Sequence, residues 1–173
     1  DVGILIKGPT GTGKEILATA IQQSGPRAER PFIKINCATL PEGIVESELF
    51  GHKKGAFTGA DTDKKGLLQA AHNGTLFLDE IDSLGLSVQA KLLRFLETGE
   101  CLPVGSTQAL TLDVRVISAT NSNLDDKIKQ GLFRSDLFFR LNIVPLELPA
   151  LNQRTEDIEG LCPFYLKKFA SQY

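Results

Sequence analysis

A chain of 173 residues, 42% hydrophobic and 23% charged, has the size and composition of one folded domain, with no internal repeat or low-complexity segment. A net charge of −2 offers no basic face for direct DNA binding, and no apolar run is long enough to span a membrane or serve as a signal peptide, so a cytoplasmic setting is expected. Cys37, Cys101 and Cys162 are odd in number and lack metal-ligand spacing, which reads as reduced structural thiols; His52 and His72, equally isolated, read as surface or capping residues.

In chain order, the apolar run from Val2 to Ile6 predicts a strand over 2–7, and Ile16-Leu-Ala-Thr-Ala-Ile21 has the apolar spacing of a helix over 14–24. Between them lies Gly8-Pro9-Thr10-Gly11-Thr12-Gly13-Lys14. Strand, glycine loop and helix in this order bind phosphate: the glycines let backbone N–H groups converge on phosphate oxygens, the helix directs its positive end at them, and Lys14 adds a point charge near the β and γ phosphates. Glu15 departs from the usual Ser or Thr whose hydroxyl ligates magnesium, so the metal must depend more on other carboxylates, waters and the phosphates.

A strand over 32–36 and a helix over 41–50 lead to Glu48-Leu-Phe-Gly, and then to Gly55-Ala56-Phe57-Thr58-Gly59-Ala60. Nothing in this second glycine-bounded stretch can do chemistry, which points to contact. Phe57 is either an anchor buried beneath an ordinary loop or an exposed group that a partner binds.

Gly74-Thr-Leu-Phe-Leu-Asp79-Glu80 predicts a buried strand, 74–79, ending in two acids where open parallel sheets place their ligands. Asp79 would hold magnesium through its water shell, and Glu80 would orient and deprotonate an attacking water, since successive strand side chains diverge. A helix follows over 84–98, with Leu84, Val88, Leu92, Phe95 and Leu96 on one stripe. Residues 99–113 read as a hairpin inserted before a strand over 114–120. Helices over 124–131 and 134–140, a strand over 142–146, a proline-bearing linker over 145–154 and an amphipathic helix from Glu156 to Phe169 complete the chain. The alternation predicts a mainly parallel five-stranded α/β sheet in a three-layer αβα core, with two inserted surface loops at 51–65 and 99–113.

Together these motifs resemble the AAA+ ATPase domain of the bacterial enhancer-binding proteins, NtrC-like activators of sigma-54 RNA polymerase, from about Gly3 to Leu161. The most specific element is Glu48-Leu-Phe-Gly with Gly55 to Ala60, the stretch this family uses to engage sigma-54; Glu15 after the P-loop lysine is also what the family shows. The resemblance implies ATP and Mg2+ as cofactors, hydrolysis in a hexamer or heptamer ring, and remodelling of the closed polymerase complex. DNA would be bound only by a separate C-terminal domain. By the same resemblance Asn36 is a switch residue that hydrogen-bonds Glu80, and Thr120-Asn121 are sensor I beside the γ-phosphate. Arg134 and Arg140 become candidates for reaching a neighbouring subunit's ATP. On a straight helix these two would lie roughly 120° apart, so Arg140 is favoured as the finger and Arg134 as an interface partner.

The resemblance divides the chain into an ATPase subdomain, 1–148, and a linker with the start of a helical lid, 149–173, and it implies a fragment, since the chain starts at Asp1 against the first strand and contains no Met. Lys53 stands where Glu is commoner, Leu68-Gln69 where Phe-Glu is common, and Pro103 where Arg is usual in the second surface loop; the 148–154 stretch lacks one arginine of the common linker. Two other readings remain at this stage: a nucleotide-gated sigma-factor binding module without turnover, and an AAA+ remodeller of another client.

Overall fold

The computed structural model describes residues 2–170. Its central sheet has five parallel strands in the order β2-β5-β8-β1-β9, formed by β1 (Ile4–Lys7), β2 (Phe32–Asn36), β5 (Thr75–Asp79), β8 (Arg115–Thr120) and β9 (Val144–Glu147). The order is not sequential. The chain leaves β1 for the β2 edge and returns through β5 and β8, then crosses β1 to finish at β9. The crevice at the carboxyl ends of β1 and β8 is the kind of switch point where such sheets hold ligands.

Alternation along the strands builds the two cores. Ile4 and Ile6 of β1, Phe77 of β5, and Ile117 and Ala119 of β8 face one side, where they pack with Ala18, Leu17 and Ile21 of α1 (Lys14–Gln23). Leu5, Leu76, Leu78 and Val116 point the other way into a larger core. There they meet α2 (Glu42–Phe50), α3 (Leu67–Ala70), α4 (Leu86–Thr98), α5 (Leu124–Lys129) and α6 (Ser135–Leu141). Burying a side chain such as Phe77 or Leu76 contributes about 1.5–3 kcal/mol, so both faces of the sheet are fixed by apolar packing. The expected three-layer α/β fold is what the chain forms.

Strand and helix limits fall within a residue or two of those expected, but two details differ, the form of the first insertion and the place of Arg134. The first insertion begins and ends in a short antiparallel ribbon, β3 (Gly51–His52) against β4 (Lys64–Lys65), and α3 follows it. The second has the expected hairpin pairing through β6 (Glu100–Cys101) and β7 (Leu110–Thr111), with the intervening residues in a loop. Arg134 is not inside a helix. It stands at the N-cap of α6 with extended backbone, φ −82° and ψ 130°, so the helical angle between Arg134 and Arg140 does not apply. Its amide N–H is held by Gln89, a fully buried side chain in α4 that also donates to the carbonyls of Leu84 and Leu132. The expected apolar stripe of α4 packs as Val88, Leu92 and Phe95, with Leu84 just ahead of the helix and Leu96 half-buried. The final helix, α7, runs Glu156–Ala170 with Pro163 inside it.

Candidate functional site: a phosphate loop, an acid pair and a projecting contact loop

Between β1 and α1 the loop turns on Gly11 and Gly13, at φ 82° and 92°, conformations that L side chains resist. Gly8 is demanded by space instead, because a Cβ there would sit 2.6 Å from the Leu148 carbonyl oxygen. Gly13 is also the N-cap of α1 and supplies no capping side chain, which leaves the helix's first amides directed at the loop's interior. Lys14, nearly buried, folds back across the loop and donates from Nζ to the carbonyls of Gly8 (2.8 Å) and Pro9 (3.1 Å). Thr12 Oγ1 donates to Pro9 O. The arrangement is a pre-shaped nest of N–H groups with one ammonium at its rim, suited to a polyphosphate. Glu15 faces elsewhere: its carboxylate accepts from Lys34 Nζ at 3.1 Å on the exposed side of α1.

The acid pair lies at the end of β5, which β8 separates from β1 in the sheet. Asp79 Oδ1 accepts the Glu80 amide N–H at 3.0 Å, and Glu80 holds a left-handed backbone, φ 51° and ψ 48°. That conformation is uncommon for a residue with a Cβ and turns the chain sharply as it leaves the strand. Asn36 is the register partner of Asp79 across the β2–β5 pair. Its Oδ1 accepts the Ala38 N–H at 2.9 Å, capping the short turn at Cys37–Thr39, and no hydrogen bond joins it to Glu80 among the described residues. Cys37 lies under these acids. Burial, then the charges of Asp79, Asp82 and Glu80, push its thiol up to about 12, so it stays protonated and inert near neutral pH. Burial likewise raises Cys101 to about 11; the side chain of Cys162 lies outside the described residues.

From β8 come two neighbours with different duties. Asn121 Nδ2 donates to Thr10 Oγ1 of the phosphate loop at 2.9 Å, which places the amide at the site. Thr120 does not face the loop: it is fully buried and donates from Oγ1 to Asp82 Oδ1 at 2.6 Å. Asp82 also accepts from Ser122 Oγ, and the sequence gives no local sign that these residues meet. On the far side of the loop Arg154 donates to Thr12 O at 2.5 Å and pairs with Asp157. A cavity of about 680 Å³ opens there, walled by Gly11, Thr12 and Gly13 and by apolar Ile16, Leu17 and Leu151.

Arg134 is paired in a fork with Asp136, at 3.0 and 2.7 Å, which holds that carboxyl below the usual range. Arg140 reaches back to the Leu96 carbonyl at the end of α4, from Nη2 at 2.8 Å. Phe139 beside it is 73% exposed.

The contact loop stands apart from this cluster. Gly55 and Gly59 have φ 80° and 95°, and Gly55 N–H to Ala60 O (2.8 Å) and Ala60 N–H to Phe57 O (3.0 Å) close the loop on itself. Phe57 is 46% exposed, with its ring edge-on to His52 at 5.0 Å. The imidazole is braced in turn by Ser47, Oγ to Nδ1 2.7 Å. Ala60 is buried, so of the six expected contact residues it serves loop closure and not surface. The second surface loop clips the first: Lys53 N–H donates to Val104 O, Val104 N–H to Gly51 O, and a Cβ on Gly105 would come within 2.7 Å of Ala56 Cβ.

A five-stranded parallel sheet in this order, with a glycine nest and lysine after its β1 strand and an acid pair ending β5, one strand removed, defines a P-loop NTPase of the AAA+ class. A family model described as the Sigma-54 interaction domain matches residues 1–147, and the chain belongs to that family. It is 54% identical over 170 residues to a Nif-specific regulatory protein of Enterobacter agglomerans, covering 98% of this chain and 33% of that protein. Against the regulatory protein AtoC of Escherichia coli (strain K12) the identity is 53% over 169 residues, covering 98% and 37%. NtrX from Brucella abortus, solved in complex with ATP, superposes with a TM-score of 0.92 at 42% identity, over 99% of this chain and 37% of that one. Hsp104, at 20% identity and a TM-score of 0.71, shares the fold. The chain thus spans about a third of the length of these relatives. No described helix is long and apolar enough to cross a membrane.

Proposed function

We propose that this chain is the motor of a sigma-54-dependent activator: it hydrolyses Mg-ATP within a hexamer or heptamer ring, and uses the cycle to move the Phe57-Thr58 tip against sigma-54 and open the closed polymerase complex. The observation that carries the reading is a glycine nest crossed by Lys14 and tied through Thr10 to Asn121, on the same sheet whose β5 strand ends in Asp79-Glu80, with a Phe presented on a separate glycine-bounded loop. That NtrX has been solved with ATP and with ADP supports the nucleotide.

The residues fit Mg-ATP. The loop's backbone nest and uncapped helix suit a triphosphate, and the apolar-walled cavity beside Arg154 suits a base. Mg2+ would be held by one carboxylate, Asp79 at the end of β5, together with waters and phosphates. The metal, when bound, neutralises charge developing on the β and γ oxygens. Lys14 would leave the Gly8 and Pro9 carbonyls for the phosphates, Glu80 would take the proton of the attacking water, and Asn121 would position the γ-phosphate. Asn36 would exchange its Ala38 contact for Glu80 according to nucleotide state. Arg140, released from Leu96, would act on the neighbouring subunit's ATP, with Arg134 at the same interface. Residues 149–173 would link this 1–148 unit to a lid, and DNA would be met by another domain of the full protein.

The test is steady-state turnover and nucleotide binding in the full-length protein. Glu80→Gln should bind ATP normally and hydrolyse none, because an amide can hold water but cannot accept its proton. Turnover close to that of the unchanged protein would remove Glu80 from its role and with it the hydrolytic mechanism.

A further inference from the structure

Asp82 has no part in the scheme above, yet it is the most fully engaged carboxylate near the site. It sits in the turn Ile81–Ser83 that follows Glu80, and its side chain is almost entirely buried. Oδ1 accepts from Thr120 Oγ1 at 2.6 Å, and Oδ2 accepts from Ser122 Oγ at 2.7 Å and pairs with Lys127 Nζ at 3.2 Å. Lys127 also donates to the Asp82 backbone carbonyl, and Ser122 N–H donates to Thr120 Oγ1. A buried carboxylate is costly unless its oxygens are satisfied. Here two hydroxyls and an ammonium satisfy them, and although burial works to raise its pKa, those bonds hold it below the ordinary value.

The placement of these bonds matters more than their number. Thr120 and Ser122 are the residues on either side of Asn121, whose amide reaches the phosphate loop. Asp82 is two residues beyond Glu80, which holds a left-handed backbone that persists only where the surroundings over-determine it. One carboxylate therefore ties the end of β5 to the end of β8 at the two points that flank the reacting groups.

Building on the hydrolytic reading, we propose that Asp82 is a positioning residue: it fixes the separation of Glu80 and Asn121, so that the water and the γ-phosphate are held in register, without touching nucleotide itself. Loss of such a bracket should misplace Glu80 relative to the phosphate and lower the rate while leaving the nest that binds nucleotide intact.

The experiment measures kcat, KM and nucleotide dissociation constants for the full-length protein carrying Asp82→Asn, Ser122→Ala, both together, or Glu80→Gln. Asp82→Asn should lower kcat by on the order of tenfold to a hundredfold, with KM and nucleotide affinity within about threefold of the unchanged protein. Ser122→Ala removes one donor and should cost about threefold in kcat, and the double variant should be no worse than Asp82→Asn, because both changes cut the same bracket. A kcat for Asp82→Asn within about twofold of the unchanged value, or a loss that appears equally as weaker nucleotide binding, overturns the proposal. If Asp82→Asn does not fold, Ser122→Ala decides alone, and an unchanged kcat there overturns it too. Turnover that survives Glu80→Gln, or none in the unchanged protein, defeats the hydrolytic reading and this one with it; a dead Glu80→Gln beside an active Asp82→Asn defeats only the bracket.

Discussion

Gly11 and Gly13 in the phosphate loop hold φ of 82° and 92°, and Gly55 and Gly59 in the contact loop hold 80° and 95°. At Gly11, Gly55 and Gly59 an added Cβ would meet nothing within 4 Å, so backbone conformation and not crowding calls for glycine there. The two loops differ in what holds them. The phosphate loop is pinned from outside by Asn121 of the β8 end and Arg154 of the linker, and from within by Lys14 and Thr12. The contact loop is closed mainly by its own backbone and clipped to one neighbour, the second surface loop. Glycine supplies the turn in both cases, and the two loops differ in how many other elements anchor them.

Variants can break that contrast, and they rank by how much of it they remove. Lys14→Ala takes away the cradle's cation, and should abolish nucleotide binding in an equilibrium titration and with it every nucleotide-dependent act of the contact loop. Arg140→Ala should leave binding by a single subunit nearly unchanged while cutting turnover on the order of 10³-fold, as expected for a charge supplied in trans. Mixing it with Lys14→Ala subunits should restore part of the activity at mixed interfaces; assembled mixtures that stay inactive would place the arginine in its own subunit.

Phe57→Ala acts on the other loop alone. Turnover should stay within about twofold, since a surface tip can change without disturbing the sheet, while sigma-54 capture is lost; retained capture would make Phe57 a structural residue resting on His52. Gly105→Ala is the mildest change and sharpens the comparison most. Its Cβ would press on Ala56 at 2.7 Å and its φ of 75° resists a side chain, so the clip between the loops should loosen. We expect a several-fold weaker capture of sigma-54 at unchanged turnover, read by titration of labelled sigma-54. Equal capture would show that the second surface loop does not set the pose of the first.

The legible parts of this molecule are those whose physics is local. Gly8 to Lys14, the strand ending in Asp79-Glu80 and the stripe of α4 each announce themselves within a dozen residues, because turn geometry, strand burial and helical period are short-range. Asp82 is not legible: its donors Thr120 and Ser122 are 38 and 40 residues away, and only the parallel pairing of β5 with β8 brings them together. Gln89 is similar, a polar residue on the buried face of α4 whose purpose appears only when the Leu132 carbonyl and Arg134 amide arrive. Arg134 reads as helical because Ser135 and Asp136 resemble continuing sequence, whereas they form the first turn that Arg134 precedes. Thr120 beside Asn121 reads as a pair with one duty, and strand alternation sends one inward to Asp82 and the other to the phosphate loop.

The central claim is that the nucleotide held in the cradle controls the exposed Phe57 tip. It is tested most directly by capture of sigma-54 on the unchanged full-length protein, assembled and saturated either with ADP and a metal fluoride or with ADP alone. The account predicts capture in the first state and little in the second. Equal capture in both states, or equal capture with no nucleotide at all, would contradict it.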